Sequence, residues 1–333
     1  MNSDDHLSRE VGVEARITNS GLSANAKSRA FAAIDRFLGS LMDVPASTME
    51  SYANRIRAQS GLETALFDAA KARLAETVDS PDDAARLVDG HLASQMHLLA
   101  NKRNVAQRAV EFLSSLGSEG IPDPESDASE VDPDWLNHFA GYAEKASSEN
   151  VRDLWARVLA GEVRHPGSFS LTTLRLLAEF DRQMASWFQE EAEFRVMGKY
   201  ILRPDDLRGE RLSRMLFLEE VGLIHNAANI GGVVHNFNPG SQGFAVLPEG
   251  DLCLRIHFDQ KVPLKVIPMT RVGREIAAIL PSVDPRSVFK RLATALHGNA
   301  KSIDICQILE KRDDQILLSN PIEILNPANA STS

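Results

Sequence analysis

The chain is poor in cysteine, has no long apolar run, and carries fewer bases than acids. Cys253 and Cys306 are its only cysteines in 333 residues, which argues against a disulfide framework and fits a reducing, cytoplasmic setting. No apolar stretch approaches the roughly 20 residues that cross a bilayer. The start, MNSDDHLSREVG, lacks the apolar centre of a secretory signal, so no membrane partner is expected. Lys and Arg number 36 against 46 Asp and Glu. The whole deficit lies in residues 1–200, with 21 bases against 31 acids, while 201–333 balance at 15 against 15. An acidic front half repels nucleic acid and anionic lipid, so any polyanion site has to be local and in the back half. Also missing are a Gly-x-Ser-x-Gly elbow, a glycine loop ending in Gly-Lys-Ser/Thr and a Cys-x-x-Cys pair. No cofactor and no metal site is expected.

What is present is mostly helical patterning. Residues 1–20 read as a mobile tail. An acidic helical domain is expected over 21–117, beginning with a helix from Leu22 to Met42. Further starts follow at the capping box Ser47-Thr48-Met49-Glu50, at Ser60-Gly61-Leu62-Glu63, and at Ser80-Pro81-Asp82-Asp83. The last of these can run to Leu116, about 54 Å if unbroken. Its leucines and alanines at 92, 99, 106 and 113 suggest a coiled-coil seam, but Gln95 and Lys102 interrupt the companion seam, so an intramolecular bundle is the plainer reading. Asn101-Lys102-Arg103-Asn104 reads as a solvated face. An acidic linker is placed at 118–133, and Asp132-Pro133 opens a helix with Trp135, Phe139 and Tyr142 inward.

The densest signals lie between Ser148 and Asp181. Val151, Leu154, Trp155, Val158 and Leu159 fall on one helical face, with Arg152, Asp153, Arg157 and Glu162 on the other. Pro166-Gly167 stops this helix, Ser168 or Ser170 caps the next, and Leu171, Leu174, Leu177 and Phe180 are set inward. The same residues carry a resemblance. Leu154-Trp155-Ala156-Arg157-Val158-Leu159-Ala160-Gly161-Glu162, followed by Pro166-Gly167-Ser168-Phe169-Ser170 and Thr173-Leu174, resembles the signature of a bacterial family known as domain of unknown function 2806. A looser version of the pattern is similar to the abortive-infection alpha-type proteins of phage defence. The resemblance implies a bacterial cytosolic protein and supplies no catalytic residue. Its signature positions are Trp155, Gly161, Glu162, Pro166, Gly167, Phe169, Ser170 and Leu174.

The helical signature region is taken as 134–200, a winged-helix-like α+β unit as 201–281, a small α/β unit as 282–325 and a tail as 326–333. The winged-helix expectation rests on the order helix, Gly222-Leu223-Ile224, hairpin, Met269-Thr270-x-x-Gly273-Arg274-Glu275, helix, and on the alternation Leu252, Leu254, Ile256, Phe258. The fold class expected is therefore mostly α: a helical bundle, a central helical pair and a winged-helix-like unit.

Four patterns are candidates for chemistry. Arg208, Arg211 and Arg214, three residues apart, can share a helix face toward nucleic acid, though Asp205, Asp206 and Glu210 accompany them. Arg86-x4-His91 and Arg291-x5-His297 satisfy the loose spacing of helical HEPN ribonucleases, in which a histidine acts as general acid or base; chance supplies as many such pairs. Glu162-x-x-His165 is half of a di-iron motif with no second half. Cys253 and His257 share a strand face but lack two further zinc ligands. The expected function is accordingly a non-enzymatic module that binds itself or another protein. A phage-defence effector and a DNA-binding regulator are the alternatives.

Overall fold

Side chains that cap free amides fix where most of the described helices begin. In the computed structural model these residues are described: 24–38, 81–115, 130–204, 206–229, 232–238, 243–312 and 315–325, with six helical positions between 61 and 73. The tails expected at 1–20 and 326–333, the capping box at 47–50, and the linker up to residue 129 lie outside them. The chain divides into two compact units, one ending at Ala178 and one beginning at Glu179.

Unit 1 is helical: α1 (Ala24–Leu38), α2 (Pro81–Ser115), α3 (Pro133–Ala143), α4 (Glu149–Arg164) and α5 (Leu171–Ala178). Asp132 caps α3 by accepting from the amides of Asp134 and Trp135, and Ser148 caps α4 through Val151. α2 has 35 residues, about 52 Å. Its second half enters the core, where Val105, Ala106, Ala109, Val110 and Leu113 are buried with Ile34 and Phe37 of α1 and with Trp155, Val158 and Leu159 of α4. Ala106 and Leu113 of the expected seam thus pack inside the unit. The Asn101–Asn104 patch is a solvated face only in part, with Asn104 exposed and Asn101 turned inward. Asn101 is 1% exposed, donates to the Glu144 carbonyl at 2.8 Å and accepts from Arg152 at 2.9 Å. Lys102 lies over the Phe37 ring.

Unit 2 contains α6 (Arg182–Ala192), β1 (Arg195–Val196), β2 (Tyr200–Leu202), α7 (Gly209–Glu220), β3 (Val233–Phe237), β4 (Phe244–Glu249), β5 (Leu252–His257), β6 (Val262–Pro268), α8 (Arg271–Ile279), α9 (Pro285–Ala295), β7 (Ser302–Arg312), β8 (Gln315–Leu318) and β9 (Glu323–Ile324). One antiparallel sheet has the order β1-β2-β6-β3. The other has β4-β5-β7-β8, with β9 also on β7. Both share a core in which Leu254, Ile256, Leu264, Val266, Ile303 and Ile305 meet Val288, Phe289 and Leu292 of α9.

The mostly α expectation is corrected: the two antiparallel sheets make this an α+β protein. The helix expected to continue to Tyr200 ends at Ala192, and Met197 and Gly198, both at positive φ, then turn the chain through the β1–β2 hairpin. The winged-helix reading fails with it. Instead of one hairpin between α7 and α8, β3 pairs β6 and β4 pairs β5, and the two pairs enter different sheets. Strands of two or three residues, such as β2 paired with β6 through Tyr200↔Pro268, leave no periodicity to read.

Candidate functional site

The signature residues of unit 1 converge on the turn between α4 and α5. Glu162, expected on the polar face, is 2% exposed. Its Oε1 accepts from the Gly167 amide at 2.6 Å and its Oε2 from the Phe169 amide at 2.9 Å. One carboxylate thereby satisfies two amides of the turn, which neither helix ladder reaches. Gly167 takes φ +86°, a conformation that L side chains avoid. Phe169 packs its ring on Gly161, and its carbonyl accepts from Trp135 Nε1 at 2.7 Å. Trp135 stacks on Phe139, which meets Trp155 edge to face. Ser170 starts α5, accepting from the Thr173 amide, and Leu174 is fully buried. Val151 and Leu171 are exposed: α5 begins at Leu171, where the turn presents the side chain to solvent.

These residues form a structural clamp. The carboxylate that could do acid–base chemistry is held by backbone, and His165 is exposed beyond the end of α4. The other sequence candidates are dispersed. Arg86 and His91 both lie on α2, and His91 is exposed. Arg291 of α9 donates to the Glu193 carbonyl.

The three arginines before and on α7 point mostly to α6. Arg211 is bidentate on Glu191, at 2.7 and 3.0 Å, and Glu191 is 4% exposed. Arg214 pairs with Glu190 at 2.7 Å and Glu210 at 3.6 Å. Arg208 is exposed and pairs with Asp206. A buried carboxylate needs a partner of this kind, so Arg211 docks α7 on α6.

A second polar cluster covers the outer face of β5 and β7. Register places Cys253 opposite Cys306, Arg255 opposite Asp304, and His257 opposite Ser302. Side chains alternate along a strand, so Cys253 and His257 do share a face, as expected, but with different company. Asp304 is 5% exposed; its Oδ2 accepts from Arg255 at 3.0 Å and lies 3.2 Å from His257 Nε2. Both cysteines are buried and free. Burial pushes the Cys253 thiol up to about 11, helped by Cys306 and opposed by an amide of Leu247, and burial raises Cys306 as well. A thiol so raised is protonated near neutrality and is neither nucleophile nor metal ligand. Among the described residues no three His, Cys, Asp or Glu side chains converge to hold a metal. Asp304 and Cys306 escaped the sequence reading. The alternation of Ile303 and Ile305, once paired with Leu254 and Ile256, is the signal that places them.

Near the end of unit 2 the surface changes character. Leu309, Leu317, Ile322 and Ile324 are 60%, 56%, 48% and 66% exposed. All four lie on β7 or on the segment containing β8 and β9 that runs along its edge. No described helix is long and apolar enough to cross a membrane.

Residues 96–200 match the model of a family described as protein of unknown function, DUF2806. No curated protein and no solved structure matches the chain significantly.

Proposed function

We propose that this chain is a cytoplasmic binding module without enzymatic activity, and that it associates with a second copy of itself through the outer edge of the larger sheet in unit 2. The observation that carries this reading is the grouping of four large exposed hydrophobics between residues 309 and 324. The other exposed ones among the described residues, Val151, Leu171, Leu216 and Val234, are scattered along the chain. An apolar edge strand offers unpaired backbone groups and a greasy rim, the features by which strands add to a partner sheet. An edge meeting its own copy about a two-fold axis forms a closed interface with no second protein required. In this reading self-association rests on the C-terminal sheet and not on the coiled-coil seam of the long N-terminal helix.

The non-enzymatic half of the reading draws on the side chains that chemistry would need. The thiols are buried and protonated, Glu162 is held by two amides, and Arg211 and Arg214 are paired. The DNA-binding alternative loses its arginine face to those pairs, and His91, exposed on α2, lends the ribonuclease one no support.

Light scattering on the eluting protein tests the proposal. A dimer at micromolar concentration that Leu317→Lys or Ile324→Lys converts to monomer is the expected result. A monomeric wild type would overturn self-association.

A further inference from the structure

A cleft of about 230 Å³ opens in unit 2 between the end of α6, the start of β1 and the turn after α8. Two of its lining residues are arginines that come from segments far apart in sequence, Arg195 of β1 and Arg291 of α9. Both guanidinium groups are held in place by backbone. Arg195 donates to the carbonyls of Ala192 at 3.3 Å and Pro281 at 2.9 Å. Arg291 donates to the carbonyl of Glu193 and stacks 4.9 Å from the centre of the Phe194 ring.

Carbonyls orient a guanidinium without neutralising it. Arg211 shows the contrast: it lies 5.0 Å from the same Phe194 ring, yet both its bonds go to the carboxylate of Glu191. Among the described residues neither Arg195 nor Arg291 has a carboxylate in ion-pair range. Burial holds the pKa of Arg195 below its ordinary value, with the more distant Glu249 acting against the shift. The cleft therefore contains a partly desolvated positive charge without a counter-ion, a costly arrangement in a folded protein.

We propose that this cleft binds a small oxyanion, a phosphate monoester or a carboxylate on a short carbon skeleton, through the free N–H groups of Arg195 and Arg291. Each guanidinium carries five donors, and the bonds above use three across the pair, so forked pairing remains available. Ser282 and Gln189 add a hydroxyl and an amide to the lining, while Leu280 and Val283 offer an apolar side for the carbon part. The volume is below the roughly 300–1,000 Å³ of drug-sized pockets, which suits a small anion better than a nucleotide. Glu193 also lines the cleft, and its charge disfavours the most highly charged anions. The chain as a whole carries a net charge of −10, so two arginines without an ion-pair partner, brought together in one cleft, are where a small anion is drawn.

Calorimetric titration of the full chain at low ionic strength tests this, with inorganic phosphate, glycerol 3-phosphate and malonate as separate arms. Saturable binding is expected in at least one arm, and the arm that responds distinguishes phosphate from carboxylate chemistry. Arg195→Gln and Arg291→Gln each weaken it about tenfold or more, whereas Arg286→Gln, whose charge pairs with Glu323, does not. Glu193→Gln, which removes a negative charge from the lining, tightens it about threefold. No saturable heat in any arm would overturn the proposal, as would binding that survives both arginine substitutions in folded proteins. If an arginine variant fails to fold, Glu193→Gln decides, and unchanged or weaker binding there sinks the assignment.

Discussion

The ring of Phe169 occupies the space that a side chain on residue 161 would need. A Cβ built on Gly161 would lie 2.8 Å from Cε2 of Phe169, and Phe169 is 4% exposed with its carbonyl tied to Trp135. The ring has little freedom to withdraw. Gly161→Ala is expected to cost about 1–3 kcal/mol as an overpacked site, measured by urea unfolding. Phe169→Leu in the same background should recover part of the loss, and a Gly161→Ala protein as stable as wild type would refute the packing argument.

Glu162→Gln probes the clamp itself. A glutamine offers one acceptor oxygen where two amides, Gly167 and Phe169, need one each, and it brings an NH₂ against an N–H. A loss of about 1–3 kcal/mol follows from leaving a buried donor unmet. Thermal melts should show Glu162→Ala at least as unstable, since it removes both acceptors.

Gly273 gives a sharper steric test. A Cβ there would sit 2.0 Å from the Leu223 carbonyl oxygen, which is backbone and already accepts from the Thr270 amide at 3.0 Å. Gly273→Ala should cost about 3 kcal/mol or more. Gly141→Ala, in a helix with nothing within 4 Å of the new atom, should instead gain up to about 1 kcal/mol. Opposite signs in parallel denaturant curves are the expected outcome.

The buried thiols make a pH prediction. Cys253 rises from 9.0 to about 11 on folding, so between those values the unfolded chain has released a proton that the folded chain retains. Unfolded protein then binds fewer protons, and stability falls as pH rises through that window. It is fully present below pH 9. A denaturation midpoint that drops between about pH 9 and pH 11, with a smaller drop in Cys253→Ala, checks it. At about pH 8 neither Cys253 nor Cys306 should react with a thiol reagent until the protein unfolds.

Local signals were legible and long-range ones were not. Asp132-Pro133 and Thr270 announce helix starts because a cap is encoded within three residues of itself. The alternation of β5 was readable for the same reason. Glu162 was misassigned because periodicity counts a charge as outward, whereas its partners are the amides of a turn five and seven residues on. The arginine spacing gave a shared face but not its direction, which is set by Glu190 and Glu191 on another helix. The sheets were underestimated because β1, β2 and β9 have two or three residues each, too few to alternate.

The family match ends at residue 200, inside unit 2. A protein trimmed to residues 96–200 would keep α6 with Glu191 but lose Arg211, leaving a carboxylate designed for burial without its counter-charge. It would keep Val196 and Tyr200 but lose β6, against which β2 is hydrogen-bonded. It would also lack Phe37 of α1, which meets Phe139 edge to face. The segment recognised by similarity is shorter than the segments that have to fold with it, so the limits of the match are poor places to cut the chain.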